Sequence, residues 1–121
     1  MVFYKSVENG ELLSLVNAAD VDSIGKVEVV APNTVDAATE KHVPDVSVDG
    51  NVVTVRVGSV AHPMLEEHHI SFVALETCCG FQVKYLKVGE EPVAKFVLSD
   101  GEKAKAAYEF CNLHGLWKKE I

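Results

Sequence analysis

Two valine-rich runs separated by Asp49-Gly50-Asn51 constrain the fold of this chain more than any other feature of its sequence. The first is Asp45-Val46-Ser47-Val48 and the second is Val52-Val53-Thr54-Val55-Arg56-Val57. Tight hairpin turns need a positive φ at a central residue, which glycine adopts at least cost. Asp-Gly between β-branched runs therefore predicts an antiparallel hairpin. In the second run Val53, Val55 and Val57 alternate with Thr54 and Arg56. Side chains two apart share a strand face, so this strand has one apolar and one polar side and is half-buried.

Further strands are predicted over residues 69–76, 81–87, 93–98 and 104–110, with turns at Cys78-Cys79-Gly80 and Asp100-Gly101. In the last of these, Ala106, Tyr108 and Phe110 fall on one face. Many short strands punctuated by turns describe an antiparallel β-sandwich or barrel. The main competitor is a helix over residues 102–109, where Glu102-Lys103-Ala104-Lys105-Ala106-Ala107 suits helix propensity. No window longer than about three turns keeps a capped helical stripe. The N-terminal third differs. It offers strand-like runs at 2–5 and 12–16 around Asn9-Gly10, a small polar stretch at 17–25, and another run at 26–31. Residues 32–39 read as a linker. The expected organisation is a small N-terminal β subdomain, residues 1–33, followed by a main domain, residues 34–121. So small a unit needs a metal, a disulfide or oligomer contacts to stand alone.

Composition narrows the function classes. The chain has 121 residues, 48% hydrophobic and 24% charged, which is ordinary for one globular core. It holds nothing near the ~20 apolar residues of a membrane span, and its start lacks a signal-peptide layout. Eleven Lys+Arg against eighteen Asp+Glu give a net charge of −7. Without a basic run such a chain is a poor nucleic-acid partner, since phosphate neutralisation supplies most non-specific affinity. The three cysteines are Cys78, Cys79 and Cys111. An odd number with two adjacent members is no secreted disulfide framework, so the expected location is the reducing cytoplasm.

Chemistry concentrates in three polar segments. Cys111-Asn112-Leu113-His114-Gly115 follows a predicted strand, and two ligands with two residues between them in a loop reach one metal. His62-Pro63-Met64-Leu65-Glu66-Glu67-His68 carries an imidazole at each end, with His69 next in the chain. If the strand starts at His69, the rings of His68 and His69 point to opposite faces, and only one of them ligates. Glu40-Lys41-His42-Val43-Pro44 is a third loop. Four imidazoles and one thiolate suit a five-coordinate ion with a vacancy. Structural zinc closes at four ligands, usually richer in sulfur. Blue copper wants a methionine after the last histidine, and none follows His114. Iron with an open position remains, which points to binding and reducing a small oxygen species.

These motifs resemble the superoxide reductases, the neelaredoxin and desulfoferrodoxin family of non-haem iron proteins. The residues carrying the resemblance are Glu40-Lys41-His42-Val43-Pro44, then Gly58-Ser59-Val60-Ala61-His62-Pro63-Met64 with His68 and Ile70, then Cys111-Asn112-Leu113-His114-Gly115. The resemblance implies an immunoglobulin-like β-sandwich. It implies one iron with His42, His62, His68 and His114 equatorial and Cys111 axial, His69 standing where the family has a non-ligand. Glu40 resembles the carboxylate that occupies the sixth position in the ferric resting form, and Lys41 the lysine that attracts superoxide and assists protonation. The resemblance implies that superoxide is reduced by one electron to hydrogen peroxide and that an external donor such as rubredoxin restores the iron. Such a local cation is needed in a chain whose net charge repels an anion. The alternative is a non-enzymatic iron carrier or redox sensor on the same scaffold.

The sequence departs from the family at its start. Many relatives carry a rubredoxin-like iron module of four cysteines there. Phe3-Tyr4-Lys5 resembles its beginning, yet Ser6 stands where a cysteine is expected. The expectation is a degenerate module without iron, structural in role and placed at a homodimer interface. Cys78-Cys79 has no place in the family's site and reads as two thiols at a hairpin turn. Trp117 is expected to pack near the site, Met64 to pack beneath the loop stiffened by Pro63, and Lys118-Lys119-Glu120 to form a solvated tail.

Overall fold

The Asp-Gly hairpin is present where the sequence requires it. Strand β4 (Pro44–Asp49) pairs antiparallel with β5 (Val52–Val57), Asp49 opposite Val52, and Gly50 turns the chain at φ 58°. Val53, Val55 and Val57 are fully buried, Thr54 is half-buried and Arg56 is exposed, so β5 has the two faces its alternation dictates. Each buried valine contributes about 1.5–3 kcal/mol of hydrophobic stabilisation. The computed structural model describes residues 1–14 and 26–121, apart from the side chain of Leu13. The second half of the predicted strand at 12–16 and the polar stretch at 17–25 lie outside the described residues.

The described residues form two compact units, Met1–Ala31 and Pro32–Ile121. In the first, β1 (Phe3–Ser6) lies between β2 (Leu12–Ser14) and β3 (Val27–Val29), antiparallel to both. The second is a sandwich of two antiparallel sheets. One has the order β4-β5-β8, with β8 at Val93–Val97. The other has the order β10-β9-β6-β7, formed by β6 (Ile70–Thr77), β7 (Phe81–Tyr85), β9 (Ala104–Cys111) and β10 (Gly115–Glu120). The inner faces enclose Val53, Val55, Val57, Ile70, Val73, Leu75, Phe96, Ala107 and Cys111. The cysteine thus belongs to the core that supports the site.

The predicted strand over 104–110 is present as β9 and the competing helix is not, because β9 is central between β6 and β10 and is buried on both faces, which outweighs local helix propensity. Two expectations need correction. Residues 39–42 are one helical turn, α1 (Thr39–His42), rather than loop. Lys118-Lys119-Glu120 is no free tail. It ends β10, where Lys118 pairs with Glu120 at 2.5 Å and lies 5.5 Å over the Tyr108 ring. Among the described residues, no helix is long and apolar enough to cross a membrane.

Candidate metal centre

Each of the three polar segments is delivered by a different element. His42 ends α1, His62 and His68 lie in the connection from β5 to β6, and Cys111 ends β9 with His114 in the turn before β10. Next to Cys111 the β6–β9 register shifts between Ile70 and Phe72, a bulge that bends the strand beside the site. The five side chains converge at one end of the sandwich, and their donor atoms all lie within 4.8 Å of one another. His42 Nε2 is 3.1 Å from His114 Nδ1 and 3.2 Å from His62 Nε2. Cys111 Sγ is 3.5 Å from His62 Nε2 and 3.7 Å from His114 Nδ1. His42, His62 and Cys111 are buried, and His68 and His114 are half-buried. His69, the alternative to His68, turns away, with Nδ1 3.1 Å from the carbonyls of Leu65 and Glu66.

The protonation pattern shows what belongs at the centre. His42 Nδ1 donates to the Ala38 carbonyl and His62 Nδ1 to the Pro63 carbonyl, each at 2.7 Å. In the neutral rings both Nε2 atoms are then bare acceptors, and they face each other at 3.2 Å. Two lone pairs at that distance repel unless a cation lies between them. Burial lowers the pKa of His42, His62 and His68, that of His62 to about 4, so no proton fills the role at neutral pH. His68 Nε2 is buried with no hydrogen-bond partner among the described residues. A first-row metal holds each imidazole nitrogen at about 2.1 Å, so two nitrogens sharing one ion lie within about 4.2 Å of each other, as His42 Nε2 does with His62 Nε2 and His114 Nδ1. Burial raises the Cys111 thiol, opposed by the backbone N–H groups of Leu113 and His114. A metal ion reverses that balance by binding the thiolate. The donor set fits a metal.

Comparison with known proteins agrees. A family model described as Desulfoferrodoxin matches residues 34–120. The chain belongs to the desulfoferrodoxin family. It is 38% identical to the desulfoferrodoxin homolog of Archaeoglobus fulgidus, over 98% of this chain and 95% of that one. The crystal structure of the superoxide reductase from Treponema pallidum superposes with a TM-score of 0.79 at 42% identity, covering 98% of each chain. The superoxide reductase of Giardia intestinalis gives 0.59 at 39% identity, covering 68% of this chain and 97% of that one. The β-sandwich is the fold of these superoxide reductases. The N-terminal unit of this desulfoferrodoxin is short, carries no cysteine and lies outside the family match.

Glu40 and Lys41 are exposed on the same helical turn that buries His42. Lys41 is near enough to lower the His68 pKa electrostatically, after the larger effect of burial. Glu40 acts on His42 in the opposite sense.

Gly58, Asn112 and Trp117 shape this desulfoferrodoxin site, and Glu109 lies buried beside it. Gly58 packs under α1 so tightly that an added Cβ would lie 2.7 Å from the Glu40 carbonyl oxygen and 2.9 Å from that of Val43. Asn112 ties two ligand segments together. Its Oδ1 accepts from the His69 N–H at 2.9 Å, and its Nδ2 donates to the Glu67 carbonyl at 3.1 Å. Trp117 fulfils its expected packing role and adds orientation. Its ring stacks on His42 at 4.9 Å, and its Nε1–H donates to the His114 carbonyl at 3.1 Å. Glu109, on the Cys111 side of β9, is fully buried, and neither carboxyl oxygen has a partner among the described residues. Burial pushes its pKa up to about 9, so it is neutral at pH 7. Only its alternation with Ala107 and Cys111 could have marked it as inward-facing. Met64 is buried as expected and accepts the Ile70 N–H on its sulfur at 3.4 Å.

Proposed function

We propose that this desulfoferrodoxin reduces superoxide to hydrogen peroxide at one iron held by His42, His62, His68, His114 and Cys111. The observation that carries the reading is four imidazole nitrogens and one thiol sulfur meeting within 4.8 Å, with bare acceptor atoms face to face. The likeness to solved superoxide reductases supports it. When bound, the iron supplies one electron per turnover by passing between its ferrous and ferric states.

The protein's own groups do the rest. The carbonyls of Ala38 and Pro63 hold two imidazoles in the tautomer that offers Nε2 to the metal, which keeps these ligands neutral and oriented. The backbone N–H groups of Leu113 and His114 point at Cys111 and stabilise its thiolate. Lys41 places a positive charge at the exposed rim, drawing in the superoxide anion against a chain of net charge −7. Its ammonium also supplies a proton toward the peroxide product. Glu40, its neighbour, covers the exposed side of the oxidised site between turnovers. An electron carrier has no use for a cation at an open rim, so this pair favours the enzymatic reading. A rubredoxin-like protein is the external donor, a homodimer the expected assembly and the reducing cytoplasm the expected compartment.

Metal analysis with visible spectroscopy and superoxide consumption tests the reading. One iron per chain, a thiolate-to-ferric charge-transfer band on oxidation, and one peroxide formed per superoxide consumed are expected. Bound zinc, or iron without the band and without superoxide consumption, overturns it.

A further inference from the structure

At the far end of the sheet from the histidine cluster, the turn between β6 and β7 carries Cys78 and Cys79, both exposed. Strand β6 separates the two ends, with Ile70 opposite Cys111 and Thr77 adjoining Cys78. At about 3.3 Å per residue its eight residues span about 25 Å, so these thiols take no part in the metal centre. Their sulfurs lie 3.3 Å apart. Cys78 is fixed by a two-way bridge to Lys103. Its N–H donates to the Lys103 carbonyl at 2.9 Å, and the Lys103 N–H donates to its sulfur at 3.3 Å. Thr77 Oγ1 accepts the Cys79 N–H at 3.2 Å, which holds the second thiol beside the first.

The two sulfurs are chemically unlike. The Lys103 N–H, then the Cys79 thiol, favour the thiolate of Cys78 and pull its pKa below the usual thiol value. The hydrogen bond to Cys78, then the charge of Cys78, pushes Cys79 above it. One sulfur is disposed to attack and the other to stay protonated as a resolving thiol. Adjacent Cα atoms lie about 3.8 Å apart, short of the span of relaxed disulfides, so a bond between these sulfurs is strained and readily reduced again.

We propose that Cys78 and Cys79 form a peroxide-responsive dithiol that closes reversibly to a vicinal disulfide. The Cys78 thiolate attacks one oxygen of hydrogen peroxide. The O–O bond breaks, and the departing hydroxide takes a proton to become water, leaving a sulfenic acid on Cys78. Cys79 then attacks the Cys78 sulfur. The S–O bond breaks, the S–S bond forms, and the leaving hydroxide takes the Cys79 proton as a second water. Peroxide gains two electrons and each thiol gives up one. The supply of peroxide from the chain's own turnover rests on the superoxide-reducing reading; the thiol chemistry rests on the turn alone.

The test uses the full chain, reduced and freed of reductant, in two arms. With added hydrogen peroxide, intact mass should fall by two hydrogens, two thiols per chain should be lost, and dithiothreitol should restore both. Cys79→Ser should stop at a sulfenic acid that dimedone traps on Cys78, and Cys78→Ser should slow thiol loss by about tenfold or more. An unchanged thiol count, a link between chains, or no dimedone adduct on Cys78 in the Cys79→Ser variant overturns the proposal. In the second arm a superoxide source with an electron donor replaces peroxide. Closure in the first arm but not the second upholds the dithiol and counts against the superoxide-reducing reading.

Discussion

Cys111 and Cys78 sit near opposite ends of one antiparallel sheet, and their surroundings treat the two sulfurs in opposite ways. Cys111 is buried in the core, and desolvation raises its pKa despite two backbone N–H groups aimed at it. Cys78 is exposed, and the backbone N–H of Lys103, then the Cys79 thiol, lower its pKa. Hydrogen bonds alone therefore favour a thiolate only where water still solvates it. In the core a thiolate needs a full positive charge beside it, which is what a bound metal provides. The imidazoles follow the same logic. Burial keeps those of His42 and His62 neutral and backbone carbonyls fix their tautomers, so the buried end is built for a cation and the exposed end for reactivity.

The largest effect separating the two ends is expected from Cys111→Ser. A serine hydroxyl ionises far less readily than a thiol and is a harder donor. Metal affinity should fall by about 100-fold or more and the charge-transfer band should vanish. The loss of two thiols at Cys78 and Cys79 on adding peroxide should be unchanged. Metal titration and thiol labelling of the same variant check both halves, and an altered Cys78 reactivity would break the claim that the ends are independent.

Gly58→Ala comes next, because it attacks α1 from beneath. The added methyl meets the carbonyl oxygens of Glu40 and Val43, which are backbone and cannot swing aside. Overpacking of this kind costs about 1–3 kcal/mol. Since α1 carries His42 and Lys41, metal affinity and superoxide reduction should both drop while the Cys78 turn keeps its chemistry. Urea denaturation and metal binding measure the two effects.

This contrast also explains what could be read in the sequence. The β4–β5 hairpin was legible because Asp49-Gly50 and the Val53, Val55, Val57 alternation are local signals with one physical meaning. The three ligand segments were legible because imidazole and thiol are rare, chemically specific groups. Strand β10 was not, since Leu116 and Trp117 are both buried and Lys118-Lys119-Glu120 then breaks any period of two. Its pairing with β9 makes it a strand, and that is a tertiary fact. The tight seat of Gly58 and the isolation of Glu109 are likewise properties of what surrounds them.

Glu109 supplies a pH test at the buried end. Its folded pKa of about 9 lies above the ordinary carboxylate value, so burial favours the protonated form. The native state tolerates this group fully below the unfolded pKa, and stability is lost as pH rises from there toward about 9. Glu109→Gln removes the titration. At pH 7 the variant should be more stable by on the order of 2 kcal/mol, with the gain shrinking toward zero near pH 4. Thermal melts across that range check it, and an equal slope in both proteins would show that Glu109 is ionised in the fold. Lys41→Ala is a smaller change still. Metal content should be kept, and the rate with superoxide should fall by about tenfold at low ionic strength, the difference narrowing as salt screens the charge.

The smallest effect belongs to the exposed end. Glu102 accepts from Thr77 Oγ1 at 2.5 Å and from the Ser99 N–H at 3.1 Å, and these bonds, Thr77 first, hold its pKa below the usual carboxylate range. A depressed pKa contributes stability above the unfolded value and loses it as pH falls through the folded one. Glu102→Gln should therefore lower the melting temperature slightly at pH 7 and not at all in strong acid. Glu102 also opposes ionisation of Cys78, so its neutral replacement should speed peroxide oxidation of that thiol while slightly loosening the turn. A variant less stable and yet faster in thiol oxidation is what local electrostatics demands. If the rate falls with the stability, packing rather than charge sets the reactivity of Cys78, and the contrast with Cys111 narrows to burial alone.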